Sequence, residues 1–261
     1  TEAGVVWLSP FSVEGSVPTG YQADTTLAGA RVRTEIRDVG AALSIYTAEF
    51  LEDTGSTDIQ DLLVFGTSTE VGGASGNIAG NNNRLAPQNN TRIRGLVGAD
   101  LTVDYFLTDI PFDSYNTDQV SIIRGPNATL YGLGSPAGIV NNSLKAPVFR
   151  DLNQVQIKVD NYGTYRGSFD VNREVINGRL ALRLAGLHEY IDHRQNPAYE
   201  RDRRLYFGGT YRHNWGGRSV GPLNVTMKYE DGSIDARQPN PIGPQDNLSL
   251  WTNFATNGST K

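Results

Sequence analysis

The residues Gly132-Leu133-Gly134-Ser135-Pro136-Ala137 carry the G-x-G-x-x-A spacing with which a glycine turn brings backbone against a dinucleotide pyrophosphate. That chemistry requires the turn to close a strand and open a helix, so that the helix N-terminus faces the anion. Here Pro136 is followed by Gly138, the strand-like pair Ile139-Val140 and Pro147, so no crossover helix follows and a nicotinamide cofactor has no seat. His188, His193 and His213 are scattered through an alternating region, with neither an H-E-x-x-H motif nor an i, i+4 pair to hold zinc. The chain has no cysteine, which removes disulfides, thiolate metal sites and a Cys nucleophile together. Acid pairs such as Glu52-Asp53 and Glu230-Asp231 fall at element ends, where solvation accounts for them without catalysis. There is no Walker A lysine, hence no energy source within the chain. These residues read as those of a non-enzyme, with no catalytic residue, no cofactor and no metal.

The elements that would position any other chemistry are set by composition and period. Lys and Arg number 23 against 28 Asp and Glu, a net charge of -5 without a basic block, which argues against a nucleic-acid partner. Twenty-nine Gly and 12 Pro among 261 residues favour turns and short strands. No run approaches the ~20 apolar residues of a membrane-spanning helix, although strands that cross a bilayer need only ~9–11 alternating residues. Residues 1–28 hold one apolar patch around Val5-Val6-Trp7-Leu8 and read either as an extended segment or as an edge strand of the next domain. Beyond it the signals mix α and β. Leu43-Ser44-Ile45-Tyr46 reads as a strand, Thr47 caps a short helix that Gly55 ends, and Thr57 with Gln60 has the spacing of a capping box for a second helix. A Gly- and Asn-rich stretch from Gly72 to Asn90 is long enough to be a functional or disordered loop. Strand-like pieces return at 91–95, 101–104, 120–123 and 138–141.

After Pro147 the period becomes two. Val155, Ile157 and Val159 alternate with Gln156, Lys158 and Asp160; Leu223, Val225, Met227 and Tyr229 alternate with Asn224, Thr226, Lys228 and Glu230. About five strands are predicted, with Asn177-Gly178 the sharpest hairpin signal. Such alternation in a soluble protein means a sandwich with one face on the core. Strands of ~10 residues or more, with tyrosines gathered near their ends, fit a bilayer-crossing barrel with aromatic girdles instead.

Ile93-Arg94-Gly95, Val103-Asp104, Ile122-Ile123-Arg124-Gly125-Pro126, Leu130-Tyr131-Gly132, Gly138-Ile139-Val140-Asn141 and Lys145 resemble, in order and spacing, the plug signature of TonB-dependent outer-membrane receptors. Two departures are Ser121, where the family usually has Glu, and Tyr105, where it often has Gly. The resemblance implies an α+β plug domain over 29–150, followed over 151–261 by the first ~5 antiparallel strands of an incomplete, ~22-stranded transmembrane β-barrel, the strand number following from the diameter that a plug demands. It implies a receptor in the outer membrane of a Gram-negative bacterium, in contact with its lipid, importing a siderophore, a cobalamin-like molecule or a saccharide with energy delivered by TonB. TonB would add a strand to the N-terminal segment, where Glu2, Val5, Val6, Trp7, Leu8 and Ser9 loosely resemble the family's contact box. Arg94 and Arg124 would pair with barrel carboxylates that lie outside the chain, or else stand in solvent at strand ends. Ligand contacts are expected from the plug's outward loops, at Asn81, Asn82, Asn83, Arg84, Tyr105, Phe112 and Tyr115, which combine amide donors with aromatic faces. The alternative of another class is a secreted β-rich carbohydrate-binding module.

Overall fold

The structure, a computed structural model, describes residues 20–21, 23, 25–26, 34–72, 91–125, 135–194, 196–214 and 222–239. Short pairing comes first, with β1 (Thr25–Thr26) antiparallel to β2 (Thr34–Glu35). The apolar run around Leu43 then forms β3 (Ala42–Thr47), and the Thr47 side chain accepts a hydrogen bond from the Phe50 amide to start α1 (Ala48–Thr54). Gly55 takes φ +67° at the end of that helix, the left-handed conformation glycine reaches without strain. The second helix, α2 (Ile59–Leu63), starts one residue later than the spacing of Thr57 and Gln60 predicts. Asp58 is its cap, accepting from the Asp61 amide at 2.8 Å, while the Thr57 amide donates to the Asp61 carboxylate. A shorter, charged acceptor at Asp58 outcompetes the Thr57 hydroxyl for the same orphan amides.

Next come β4 (Thr69–Val71), paired with β5 (Thr91–Ile93), then β6 (Asp100–Val103), β7 (Phe106–Leu107), β8 (Thr117–Arg124) and β9 (Gly138–Leu144). A mixed sheet has the order β3-β8-β9-β6-β7, with β6 and β9 parallel. Ile59, Leu62 and Leu63 lie against Ile93, Val120, Ile122 and Val140 to form its core. Burying each such side chain contributes ~1.5–3 kcal/mol. Ile123 and Ile139 point to the opposite face, where Tyr105 packs on them.

From Leu152 the chain forms a meander of β10 (Leu152–Val159), β11 (Tyr165–Ile176), β12 (Leu180–Asp192), β13 (Tyr199–His213) and β14 (Leu223–Arg237), each antiparallel to the next. The last four have 12, 13, 15 and 15 residues, well beyond the ~5–6 of a globular strand. Their two faces invert the soluble pattern. On the face turned to the plug, Arg166, Asp170, Asn172, Asp202 and Tyr206 are buried. On the other, Val155, Ile157 and Val159 are 73–77% exposed, and Leu184, Leu205, Val225, Met227 and Tyr229 are exposed with them. A sandwich would bury those apolar stripes against a second sheet; this wall buries its polar residues against the plug instead.

Candidate functional site

The inward face of the wall meets the plug through charged side chains supplied by alternate strand positions, which the pleat aims at one side. Arg166, 2% exposed on β11, holds both oxygens of Asp113 at 2.6 and 2.8 Å and reaches Glu189 on β12 at 3.0 Å. Asp113 sits just before a 3₁₀ turn, Ser114–Asn116, and also accepts from the Tyr115 amide, so one carboxylate caps the turn and anchors it to the wall. Arg204 on β13 lies on Asp202 at 2.6 Å and donates to the Pro111 carbonyl at 2.7 Å. The Tyr115 hydroxyl donates to Glu230 on β14 at 2.7 Å, and burial followed by that carboxylate raises the phenol above its ordinary range, keeping the donor protonated. Lower on the wall, Asp170 receives Arg183 at 2.6 Å and the plug's Lys145 at 2.9 Å, while Lys228 bridges Asp104 and the Leu144 carbonyl at 2.9 and 2.8 Å. Tyr206 donates to the Lys145 carbonyl and, with Tyr115, Leu144, Ala185 and Leu187, forms an apolar cluster shared by plug and wall. Low dielectric makes each of these pairs strong when complete and costly when halved.

The plug signature residues serve this arrangement from the sheet. Ile93 is fully buried in the core. Arg94 and Gly95 both take positive φ, +59° and +68°, to turn the chain out of β5, and the Arg94 amide donates to the Ser68 carbonyl. Arg124 ends β8 and is turned into the plug, with Nε on the Thr67 carbonyl at 3.1 Å and Nη1 on Ser44 Oγ at 2.9 Å. Among the described residues neither Arg94 nor Arg124 has a carboxylate within ion-pair distance. Gly125 has φ +96° and follows β8 directly. Gly138 has φ +120°, and a Cβ there would lie 1.9 Å from the Ile123 carbonyl oxygen, so only glycine lets β9 approach β8. Asn141 is fully buried; its Oδ1 accepts from Thr102 Oγ1 at 2.9 Å and from the Tyr105 amide at 2.6 Å. That second bond holds a turn in which Asp104 and Tyr105 both have positive φ, +46° and +69°, the conformation a glycine at 105 would adopt freely.

Of the expected ligand-contact residues, the three that are described face inward. Tyr105 packs on Ile123 and Ile139, Phe112 packs against the core, and Tyr115 is 5% exposed. Packing against plug and wall removes part of their rings from water, and Tyr105 and Tyr115 also line a cavity between α1 and β10. Asn81, Asn82, Asn83 and Arg84, the TonB-contact candidates Glu2, Val5, Val6, Trp7, Leu8 and Ser9, and the signature residues Pro126 and Gly132 lie outside the described residues. Sequence reasoning missed the partners: Asp113, Glu189, Asp202 and Arg204 carry no motif. Their only signal is charge recurring at the polar phase of the alternation, which a solvent-facing sheet would show equally.

A family model described as "TonB-dependent Receptor Plug Domain" matches residues 35–139, the segment that holds α1, α2 and the mixed sheet as far as the start of β9. Residues 35–139 thus match the plug domain of TonB-dependent receptors. The catecholate siderophore receptor Fiu of Escherichia coli K12 is 28% identical over 178 residues, 66% of this chain and 22% of that protein. The metal-pseudopaline receptor CntO of Pseudomonas aeruginosa is 29% identical over 189 residues, 69% of this chain and 26% of that protein. Among solved structures, the ferripyoverdine receptor of the Pseudomonas aeruginosa outer membrane superposes with a TM-score of 0.68 at 16% identity, over 82% of this chain and 28% of that one. The chain thus spans about a quarter of the length of these receptors. The superposition covers 82% of the chain and shows a shared fold.

Proposed function

We propose that this chain is the front of an energy-coupled importer in the outer membrane of a Gram-negative bacterium, with an N-terminal segment over 1–28, the plug over 29–150 and the first barrel strands over 151–261. The observation that carries the reading is the inverted wall: polar residues buried against the plug, apolar residues exposed on the far side. A ferric siderophore is the ligand class the relatives' names favour, ahead of a cobalamin-like molecule or a saccharide. The chain acts without catalysis: the ligand binds, and a pull from periplasmic TonB on the N-terminal segment loosens the plug. TonB adds a strand to residues 2–9, where Glu2 and Val5 to Ser9 offer an extended backbone. Deleting residues 2–9 in the full receptor tests this. Uptake of radio-iron siderophore is lost while binding at the cell surface persists; undiminished uptake rejects the coupling site.

A further inference from the structure

The far face of the wall carries two arginines where its apolar stripe ends. The pleat sends Arg201, Arg203, Leu205 and Phe207 of β13 to the side away from the plug, with Arg201 opposite Tyr190 and Arg203 opposite His188 of β12. Leu205 is exposed there, as are Leu184 and Phe169 on the neighbouring strands. From His213, the end of β13, back to Arg203 the strand covers ~33 Å at ~3.3 Å per residue, or ~25 Å of membrane depth at a tilt of ~40°, the height of a barrel's lipid-facing band. Arg203 therefore stands at one boundary of that band.

Three tyrosines form a row across the strands at this boundary. Tyr165 and Tyr190 stack with ring centroids 5.6 Å apart, and Tyr190 and Tyr199 with centroids 6.3 Å apart. The Arg201 guanidinium lies 5.9 Å from the centres of both Tyr190 and Tyr199, so the rings position it without neutralising it. Arg203 is exposed, and the His188 ring beside it lies 3.5 Å from the Tyr165 hydroxyl. The carboxylates on this face of β14 are Asp231 and Asp235, and Tyr199 donates to Asp235 at 3.2 Å. Among the described residues neither Arg201 nor Arg203 has a carboxylate within ion-pair distance. The other boundary differs: β13 presents Tyr211 and His213 there, and the outward Arg173 of β11 lies 3.6 Å from Asp151. A guanidinium at the edge of lipid still needs acceptors for its donors, and its planar fork matches a phosphate through two parallel hydrogen bonds.

We infer that Arg201 and Arg203, with His188 beside them, dock the phosphate head group of a membrane lipid whose acyl chains run along Leu205, Leu184 and Phe169. The inference rests on the outer-membrane reading above. The site is built by β11, β12 and β13, each paired on both sides within the described sheet, so no strand beyond β14 is needed to form it. The lipid it fits carries an uncovered phosphate. A choline on that phosphate would bring a further cation up to the two arginines.

The test uses the full receptor purified in a neutral detergent, with dioleoyl phosphatidate, dioleoyl phosphatidylcholine and inorganic phosphate as probes and native mass spectrometry to read bound lipid. The receptor is expected to hold phosphatidate at least about ten-fold more tightly than phosphatidylcholine, a difference of about 1.4 kcal/mol. Arg201→Gln with Arg203→Gln is expected to abolish that preference while phosphatidylcholine stays bound as before, which reports an intact wall. Arg173→Gln, on the same face at the other boundary, is expected to keep the preference. Inorganic phosphate at the concentration of the lipid is expected to displace none of it, since it has no acyl chains to lay on the apolar stripe. An unchanged preference in the double variant, an equal loss in Arg173→Gln, or displacement by inorganic phosphate overturns the inference. Fractionation of cells carrying the unmodified receptor is the separate check on the outer-membrane reading, and recovery as a freely soluble protein would refute that reading.

Discussion

Arg166→Gln offers the sharpest perturbation of the plug's docking. The substitution keeps a polar side chain of comparable length but removes the cation between Asp113 and Glu189, both within 3.0 Å of it in a site where Arg166 is 2% exposed. Two carboxylates then face each other in the dry seam. Halving a buried pair costs about 3–5 kcal/mol, which at ~1.4 kcal/mol per decade raises the open fraction of the docked turn by roughly two to four orders of magnitude. The turn reports this through its own amides: Ser114 donates to the Thr57 carbonyl, Tyr115 to Asp113, and Lys145 to the Asn116 carbonyl. Hydrogen exchange at these positions, followed by mass spectrometry on the full receptor in detergent, is expected to accelerate by that factor. Asp113→Asn and Glu189→Gln added to Arg166→Gln remove the stranded charges, and more than half of the lost protection is expected to return. Unchanged exchange at Ser114 and Tyr115 in the single variant, or a triple variant as open as the single one, would refute the claim that ion pairing docks the plug.

Two further substitutions address the plug itself. Asn141→Ala leaves the Thr102 hydroxyl and the Tyr105 amide without their shared acceptor, a loss of about 1–3 kcal/mol for each group stranded, read as a lower urea midpoint for the plug. Gly138→Ala forces a Cβ to within 1.9 Å of the Ile123 carbonyl at φ +120°, and should cost at least about 1–3 kcal/mol of strain, seen as a lowered thermal midpoint. Gly167→Ala, with open space around its Cβ, is the control and should stay within about 0.5 kcal/mol.

How far the sequence carries depends on the range of the forces involved. Thr47 and Gly55 bound α1 through contacts within a few residues, so the helix is legible from the residues alone. The long strands are legible because alternation repeats over a dozen positions, and about five are predicted where five are found among the described residues. At α2 two local acceptors compete, and the spacing of Thr57 with Gln60 points one residue away from Asp58, which wins. The order β3-β8-β9-β6-β7 depends on partners up to about eighty residues apart, Ala42 with Arg124 among them, and no local signal encodes it. The docking pairs are the least legible. Asp113 and Arg166 become a site only when the plug is set inside the wall, and each alone is an ordinary charge at a turn or on a strand. Tyr105, Phe112 and Tyr115 illustrate the same limit: the residues alone do not show that Tyr105 packs on Ile123 and Ile139, or that Tyr115 joins Tyr206 and Leu144 in one cluster.

A nitroxide scan along β12 and β13 of the full receptor in lipid tests most directly that the wall has lipid on one face and the plug on the other. Single cysteines at successive positions, introduced into a chain that has none, would carry the label. Leu180, Leu182, Leu184, Leu205 and Phe207 should collide freely with oxygen and little with a water-soluble nickel chelate, whereas Ala181, Ala185 and Leu187 should be shielded from both. Accessibility without a period of two, or nickel access along the outward set, would contradict the account.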